Sequence, residues 1–472
     1  MLALRDYQAT NVNEIRAACA QHRRVLFVLP TGGGKTIIFA HITTGAAAKG
    51  KRVIILAHRQ EIADQISRAL VAMGVAHGLI QPGHGRTDDL VQVGMVQTVA
   101  RRLADIAEPA LLVIDEAHHA VAGTWARIAA AWPYAKILGV TATPERLDGV
   151  GLRDAFDVMV LGPDVRVLID GGYLAPFRYL AAQFDVDLSS VRTLGGDFNV
   201  GDLERALDRD GITGNVVEHY LKHLAPRTAI AFCVTVAHAE HVARRFRDHS
   251  IPAAAIDGSM SADERRDAVE WLRTGDIRVL TSCEIISEGF DAPAVGGCIL
   301  LRPTKSFSLH RQQVGRCLRP KPDGSAAIIL DHVNNVFRHG LPDAPHIWSL
   351  DSQRRTIAER QRSVPCLRKC RVCSSVFATG ERGDDCGVAG CLFAAPDLRE
   401  REGTLEEIVS PPWAHGIDIR RARGSQWYLL LQHAGTERAR LREIQMARGY
   451  KPGWVRYAAA EAVEKLQRRC AA

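Results

Sequence analysis

One stretch constrains the fold of this chain more than any other: residues 26–36, which read LFVLPTGGGKT. An apolar run typical of a buried strand breaks there into three glycines, followed by Lys35 and Thr36. Glycines let successive backbone N–H groups point at phosphate oxygens, Lys35 can reach the outer phosphates, and the Thr36 hydroxyl can ligate magnesium. A plain glycine-rich turn is the alternative, because Leu29 stands where the strict motif has another glycine. The predicted nucleotide contacts are Thr31, Gly32, Gly33, Gly34, Lys35 and Thr36.

Further apolar runs in the first third of the chain are predicted strands: residues 53–57, 91–95, 111–114 and 137–140. Asp115 and Glu116 follow the third of these runs. Two adjacent carboxylates beside a buried strand are costly unless they have a function. We predict that Asp115 holds magnesium together with Thr36, and that Glu116 polarises the attacking water.

Other polar residues near these strands have competing interpretations. The Gln8 amide can bind both the donor and the acceptor edge of adenine, or it can belong to a solvated helix start. Arg59, Gln97 and Thr98 follow predicted strands, and ligands bind at the carboxyl ends of parallel strands. We predict nucleic-acid contacts at these three residues, with simple solvation as the alternative for Arg59.

The order LRDYQ, PTGGGKT, AHRQE, DEAH, TATP resembles the first RecA-like domain of a superfamily-two helicase of the DEAD/DEAH-box class. That family commonly lacks the glycine that is missing at position 29. The resemblance implies that Arg5 and Gln8 join the ATP site. It predicts an α/β fold of two tandem RecA-like parallel-sheet domains, the first at residues 1–165.

Residues 166–345 alternate strand-like and helix-like stretches again, which predicts the second parallel-sheet domain. The sequence QQVGRCLR occupies residues 312–319, and the three-residue spacing of Arg316 and Arg319 predicts that both lie on one face of a helix. Solvated arginines are the alternative. The resemblance implies that both arginines reach the γ-phosphate, with Gln312 beside them, and accelerate phosphoryl transfer.

The second domain also contains SEGFDAP at residues 287–293. The resemblance implies that Gly289 and Asp291 in this motif respond to nucleotide and nucleic-acid strand together. Thr235 and Thr281 are predicted contacts to nucleic-acid phosphates.

Five of the 11 cysteines fall within residues 366–391, a clustering typical of metal binding rather than of disulfides. Cys370 and Cys373 form a CxxC pair that is followed by Cys386 and Cys391, and four thiolates make a closed tetrahedral zinc site. We predict a structural zinc module at residues 366–395 behind a linker at residues 346–365. Cys366 could replace one of the four ligands.

The predicted tail, residues 396–472, is basic and mainly helical. Residues 420–472 hold 12 Lys or Arg against 4 acidic residues, so the net charge of +7 is concentrated there. Aromatic residues lie between the basic ones, and such a surface can stack on bases while following phosphates. The alternative is a small protein-docking module whose aromatic residues form a core. These aromatic residues are Trp427, Tyr428, Tyr450, Trp454 and Tyr457.

The length of 472 residues and the 47% hydrophobic content suffice for about three domains. No apolar run approaches the about 18 residues of a membrane span, and the first motif begins at Arg5, which leaves no room for a signal peptide. We therefore expect a cytoplasmic protein without a membrane partner.

The helicase motifs, the stretch TATPERLDGVGL at residues 141–152 and the four-cysteine cluster together resemble the RadD group of bacterial DNA repair ATPases. The resemblance implies ATP, magnesium and zinc as cofactors, DNA in preference to RNA as partner, and a role in recombinational repair. It also implies contact with a recombinase or a single-strand-binding protein. The competing functions are a restriction-system motor subunit, an RNA helicase and a nucleotide-switched nucleic-acid-binding adaptor.

Overall fold

Two parallel sheets with apolar strands form the framework of the molecule. The computed structural model describes residues 3–119, 123–145, 151–181, 188, 190–194, 196–207, 216–283, 295–351, 367–370, 372–378, 386, 388, 391, 430–431, 434, 437–448, 450 and 454–455. The chain divides into two compact units, Met1–Ala395 and Pro396–Ala472.

The first sheet has seven strands, all parallel: β1 (Arg24–Val28), β2 (Val53–Ala57), β3 (Gly78–Ile80), β4 (Val91–Met95), β5 (Leu111–Ile114), β6 (Lys136–Thr141) and β7 (Val158–Leu161). Their order across the sheet is β3-β4-β2-β5-β6-β1-β7. The accompanying helices are α1 (Asp6–Gln21), α2 (Lys35–Ala47), α3 (Gln60–Ala72), α4 (Val96–Arg101) and α5 (Gly123–Ala131).

Helices cover this sheet, so its central strands are continuous apolar runs. All five residues of β2 are buried. Helix α3 shows the matching helical pattern, since Ile62, Ile66 and Leu70 are buried one turn apart while Asp64 and Arg68 are exposed. The predicted strands at residues 53–57, 91–95 and 111–114 coincide with β2, β4 and β5.

The second domain repeats this architecture with a six-stranded parallel sheet in the order β12-β13-β11-β14-β15-β8. Its strands, with a small antiparallel pair β9–β10, are β8 (Phe177–Ala181), β9 (Thr193–Leu194), β10 (Asp197–Phe198), β11 (Ala229–Phe232), β12 (Ala253–Ile256), β13 (Val279–Ser282), β14 (Gly297–Leu300) and β15 (Ala327–Asp331). Its helices are α6 (Val165–Asp170), α7 (Val200–Leu207), α8 (Val216–His223), α9 (Val236–Asp248), α10 (Ala262–Thr274), α11 (Phe307–Gly315) and α12 (Val336–His339). The predicted pair of parallel-sheet domains is therefore confirmed.

Local sequence fixes both ends of α10. The Ser261 hydroxyl accepts the backbone N–H of Glu264 (3.2 Å), and the Glu264 carboxylate accepts the backbone N–H of Ser261 (2.7 Å). At the other end Gly275 adopts the left-handed conformation with φ 85°.

The predicted linker differs from the structure at its start. This part of the predicted linker is anchored to the first domain through Leu350, which is only 4% exposed and belongs to the core of that domain. The remainder of that predicted linker, residues 352–365, lies outside the described residues. The chain thus returns to the first domain after it completes the second.

The cysteine module begins with an antiparallel hairpin, β16 (Leu367–Lys369) and β17 (Val376–Ala378). Ser375 forms an antiparallel bridge to Leu180 in β8, and Val376 is buried in the core of the second domain. The hairpin therefore covers the edge strand of the second sheet.

In the C-terminal unit, helix α13 (Arg438–Arg448) packs through Leu441 and Ile444 against Leu430 and Ala434. Tyr450, Trp454 and Val455 lie against this small cluster. Within the described parts of the chain, the structure contains no helix with the length and hydrophobicity needed to cross a bilayer.

Candidate active site

The glycine-rich loop joins the end of β1 to the start of α2. Gly32 and Gly34 both have φ 85°, a conformation that side chains rarely adopt. A Cβ atom on Gly34 would also lie 2.5 Å from the Gln8 amide nitrogen. Glycine is therefore required here by both backbone conformation and close approach, as a phosphate-binding loop demands.

Lys35 is the first residue of α2, and the preceding Gly34 has no side chain that could cap the helix. The amino-terminal N–H groups and the helix dipole thus favour an anion at this position. The Lys35 ammonium donates to the Leu29 carbonyl (3.2 Å). Burial lowers the pKa of Lys35, while the charges of Glu116 and Asp115 raise it. Thr36 follows in the first turn of the same helix and is half-buried.

The DEAH carboxylates lie in a turn directly after β5. Asp115 and Glu116 are 9% and 8% exposed, and Glu116 has φ 48°, which is unusual for a residue other than glycine. The Glu116 backbone N–H donates to the Asp115 carboxylate (3.0 Å). Burial and repulsion from Glu116 raise the pKa of Asp115 to about 7, against the opposing effect of Lys35.

This donor set fits a divalent cation. The Oε2 atom of Glu116 is buried and has no hydrogen-bond partner among the described residues, although the His118 ring lies 3.5 Å from it. A carboxylate pair of this kind is stabilised in its ionised form by a nearby magnesium ion, which prefers carboxylate and hydroxyl oxygens.

The start of α1 is tied to the glycine loop. The Tyr7 hydroxyl (2.7 Å) and the Gln8 amide (3.4 Å) both donate to the Gly33 carbonyl. The Gln8 carbonyl oxygen accepts the backbone N–H of Arg5 (3.0 Å). The predicted residues Arg5 and Gln8 thus lie at the loop, and Gln8 is engaged with the protein itself.

Sequence reasoning missed two aromatic residues at this position. The rings of Tyr7 and Tyr173 lie 4.8 Å apart, and the Arg5 guanidinium lies 5.2 Å above the Tyr173 ring. Tyr7 was within the LRDYQ motif and could have been selected from it. Tyr173 gave no local signal, because only the fold brings residue 173 to residue 7.

The second domain faces the glycine loop and the DEAH turn of the first domain, and the space between them is here called the cleft. A Cβ atom on Gly315 would lie 2.6 Å from Thr31, and one on Gly32 would lie 3.9 Å from the Arg319 side chain. The charges of Arg316 and Arg319 also lower the pKa of Lys35. The structure therefore brings the arginine segment against the glycine loop.

The predicted helical placement of both arginines is wrong. Helix α11 ends at Gly315. Beyond it, the backbone N–H groups of Arg316 and Cys317 donate to the carbonyls of Gln313 and Val314, three residues earlier (both 3.2 Å), which is the hydrogen bonding of a turn rather than of an α-helix. Pro320 restricts the residue before it to extended conformations, so the helix cannot continue through Arg319. Gln312 lies within the helix, is 2% exposed, and has an amide nitrogen without a hydrogen-bond partner among the described residues.

A chain of polar contacts crosses the cleft. The His118 ring lies 3.1 Å from the Thr141 hydroxyl, which in turn donates to the Thr143 carbonyl (3.0 Å). The Thr143 and Ser308 hydroxyls are hydrogen-bonded to each other. Because Ser308 belongs to α11, these contacts connect the DEAH turn with the helix that leads to the arginines. Gly289 and Asp291 lie outside the described residues.

Comparison with known families fits this geometry. Residues 1–146 match the family described as type III restriction enzyme, res subunit, and residues 214–321 match the helicase conserved C-terminal domain. A 51.5 kDa protein of Lactococcus phage (isolate 7-9) is 33% identical over 382 residues, which cover 80% of this chain and 81% of the phage protein. This chain is a superfamily-two helicase.

Other relatives of the helicase agree with that membership. The ATP-dependent helicase IRC3 of Saccharomyces cerevisiae is 29% identical over 74% of this chain, which spans 54% of IRC3. The DNA 3'-5' translocase XPB2 of Sulfurisphaera tokodaii is 23% identical, with 70% of this chain and 81% of XPB2 covered. A fragment of an HsdR subunit of a type I restriction enzyme from Vibrio vulnificus has the same fold, with a TM-score of 0.56 at 22% identity over 73% of this chain and 67% of that fragment.

The residues predicted to contact nucleic acid differ in how exposed their side chains are. Arg59 at the end of β2 is half-buried, and Gln97 in α4 is exposed. Thr98 is 8% exposed. Thr235 caps α9 by accepting the His238 backbone N–H (3.1 Å).

Thr281 is a correction, because its side chain is fully buried. It lies in the inner strand β13, where helices cover both faces, and its hydroxyl donates to the Ala239 carbonyl (2.8 Å). A side chain in that position supports packing of α9 on the sheet and is not exposed for contact with a nucleic acid.

The four predicted zinc ligands come together in one cluster. The sulfur atoms of Cys370 and Cys391 are 3.6 Å apart, those of Cys373 and Cys386 are 3.8 Å apart, and all four lie within 4.8 Å of one another. Tetrahedral zinc with Zn–S bonds of about 2.3 Å places its sulfurs about 3.8 Å apart. The cluster therefore fits zinc.

Proposed function

We propose that this helicase is a DNA translocase that couples ATP hydrolysis to remodelling of single-stranded or branched DNA. One observation carries the proposal: the arginine segment of the second domain lies against the glycine loop of the first, where a Cβ atom on Gly315 would lie 2.6 Å from Thr31 and one on Gly32 would lie 3.9 Å from the Arg319 side chain. Such convergence supports a cleft in which phosphoryl transfer is driven by charge placement.

Each charged group has a distinct role in this proposal. Lys35 and the loop N–H groups bind the β- and γ-phosphates, and Glu116 orients the attacking water. Arg316 and Arg319 stabilise the charge that develops on the γ-phosphoryl group. Thr36 and Asp115 would hold magnesium, which neutralises phosphate charge when bound.

This assignment argues against a nucleotide-switched adaptor. An adaptor needs residues that bind nucleotide, but it gains nothing from a water-orienting carboxylate or from arginines directed at the γ-phosphate. Glu116 is buried and has a positive φ, and both features lower the stability of the fold. Their presence therefore supports a catalytic rather than a packing role.

DNA rather than RNA is supported by one relative, since XPB2 is a DNA translocase by its name. The basic excess of residues 420–472 suits either polyanion and does not distinguish the two. The decisive experiment measures steady-state ATP hydrolysis with single-stranded DNA, branched DNA, duplex DNA and RNA of matched length. We expect strong stimulation by single-stranded or branched DNA. Equal or stronger stimulation by RNA would contradict the proposal and favour an RNA helicase.

A restriction-system motor is the second candidate, favoured by the match to a res subunit and by the fold of the HsdR fragment. DNA stimulation fits both candidates, so the second measurement must separate them. We propose the repair role of the RadD group, with a recombinase or single-strand-binding protein as partner. Binding of either purified protein in analytical ultracentrifugation would support repair. Assembly with a modification subunit, or DNA cleavage, would support the motor.

We also propose a structural zinc ion at the cysteine cluster. Three observations support it: four convergent sulfur atoms, a hairpin bridged to β8, and Val376 packed in the second-domain core. Zinc would thus fix a short apolar-poor segment on the edge of the second sheet.

For the tail we propose nucleic-acid binding through the basic face of α13. Arg438 and Arg442 are one turn apart and exposed, whereas Tyr450 and Trp454 lie against the small apolar cluster. Binding by phosphate contact therefore has more support in the described residues than base stacking by these two rings.

A further inference from the structure

Residues 341–351, here named the return segment, run from the second domain back to the first. We propose that the return segment is a positioning element for ATP hydrolysis, which holds helix α11 so that Arg316 and Arg319 stay against the glycine loop. This inference rests on the roles proposed above for the two arginines.

The return segment is fastened to α11 at its first half. The Arg311 guanidinium donates to the carbonyls of Pro342 and Ala344, the latter at 3.0 Å. Burial lowers the pKa of Arg311 to about 10, yet the group stays charged at neutral pH, so these are charge-assisted hydrogen bonds. One turn earlier, the Phe307 ring stacks on His346 at 4.8 Å.

The same histidine reaches the first domain. The His346 ring nitrogen Nε2 lies 3.0 Å from the Glu145 carboxylate, two residues after Thr143. His346 therefore contacts α11 with its ring face and the loop after β6 with its ring edge. A single side chain thereby links the helix that precedes the arginines to the loop that continues the polar chain from the DEAH turn.

The second half of the return segment is anchored in the first domain. The Leu350 carbonyl accepts the backbone N–H groups of Leu152 (2.8 Å) and Arg153 (3.0 Å), and the Arg153 guanidinium pairs with Asp351 (3.0 Å). The Leu350 side chain is buried in the first-domain core, and Trp348 packs beside it. Apolar burial plus two backbone hydrogen bonds makes this end a fixed attachment rather than a surface contact.

Direct packing between the domains is incomplete at this location. A cavity of about 230 Å³ lies between the start of the glycine loop, the loop after β6 and α11, and Ala344 and Trp348 form part of its wall. Because the domains leave a gap there, the return segment carries contacts that a continuous interface would otherwise supply. Loss of those contacts frees α11 to shift relative to Thr31.

Such a shift affects chemistry more than binding. Nucleotide binding depends on the loop and Lys35, which belong to the first domain, whereas the arginines act on the transition state from the second. Misplacement of a catalytic group by about 1 Å can cost roughly a hundredfold in rate. A positioning role therefore predicts a fall in kcat with little change in ATP affinity.

The test begins with three variants of the full-length protein, and two more are added below. His346→Ala removes the link between α11 and Glu145, and Leu350→Ala weakens the anchor. Ile347→Ala is the matched control, because Ile347 lies between them in the same segment and is 74% exposed. We measure DNA-stimulated kcat, the dissociation constant of an ATP analogue, and the thermal unfolding midpoint.

We expect His346→Ala to lower kcat by about tenfold or more and to change the affinity for the ATP analogue by less than about threefold. The control variant Ile347→Ala should keep the wild-type kcat. His346→Gln retains an amide donor toward Glu145 and should recover part of kcat. If Leu350→Ala fails to fold, His346→Ala and His346→Gln alone decide the matter.

A folded His346→Ala variant with wild-type kcat would overturn the inference, as would equal losses in kcat and affinity. Arg316→Ala separates this failure from failure of the proposed function. If Arg316→Ala loses hydrolysis and His346→Ala does not, only the return segment has been misassigned. If Arg316→Ala hydrolyses ATP normally, the arginine role itself is wrong.

Discussion

The two parallel-sheet domains share an architecture but contribute different chemistry to the cleft. In the first domain, β1 ends in the glycine loop and β5 ends in the DEAH turn. In the second, the central strand β11 leads to Thr235, which caps a helix and bonds Glu204. In our proposal the second domain acts instead through Arg316 and Arg319, which lie just beyond the end of α11. Function in each domain therefore depends on the loops and turns that adjoin the strands and helices rather than on the sheet itself.

The largest effect is expected when the two arginines of the second domain are removed. The double variant Arg316→Ala Arg319→Ala should lower DNA-stimulated kcat by about a thousandfold or more, because such arginines stabilise charge only in the transition state. Affinity for an ATP analogue should fall much less. Single-turnover hydrolysis and analogue titration measure the two quantities. Parallel loss of both would mean that the arginines belong to ground-state binding.

In the first domain, two variants separate hydrolysis from nucleotide binding: Glu116→Gln and Lys35→Ala. Glu116→Gln should lower hydrolysis by about a hundredfold or more while ATP binding is retained, because only water orientation is lost. Lys35→Ala should weaken nucleotide binding itself. Wild-type turnover by Glu116→Gln with DNA present would refute the assignment of this carboxylate.

The cysteine module adds a further difference, because it packs on the edge strand of the second sheet. Cys373→Ser Cys386→Ser should lose about one zinc ion per chain, because two of four ligands are gone. The thermal midpoint should fall, since the hairpin covers β8, whereas ATP hydrolysis at low temperature should persist. Metal analysis and calorimetry provide the measurements. Unchanged zinc content would reject this ligand set and direct attention to Cys366.

The smallest effect on hydrolysis is expected from the C-terminal unit. Removal of residues 396–472 should leave saturated kcat within about twofold and should weaken single-stranded DNA binding. The salt dependence should also become shallower, because a protein that touches fewer phosphates releases fewer counterions, roughly one for each phosphate. Titrations at several salt concentrations test this expectation. An unchanged affinity and slope would make the unit a packing or protein-docking module.

How much of the site the sequence predicts depends on the range of the interactions. The glycine loop, the DEAH turn and the cysteine cluster each occupy short stretches of chain, so residue type and spacing define them before folding. The ends of β2 and β4 were predictable for the same reason, since the pattern of apolar residues that defines a strand acts within a few residues.

The tertiary structure alone decided which of these stretches meet. Arg319 reaches Gly32 and His346 reaches Glu145 across long chain separations, and no local periodicity records such contacts. The sequence predicts that Thr281 contacts nucleic-acid phosphates, but its side chain is buried beneath helices in the folded protein. The sequence by itself determined the chemical groups of this helicase. Their convergence, and the return of residues 341–351 to the first domain, depend on side-chain packing between elements that only the folded chain brings together.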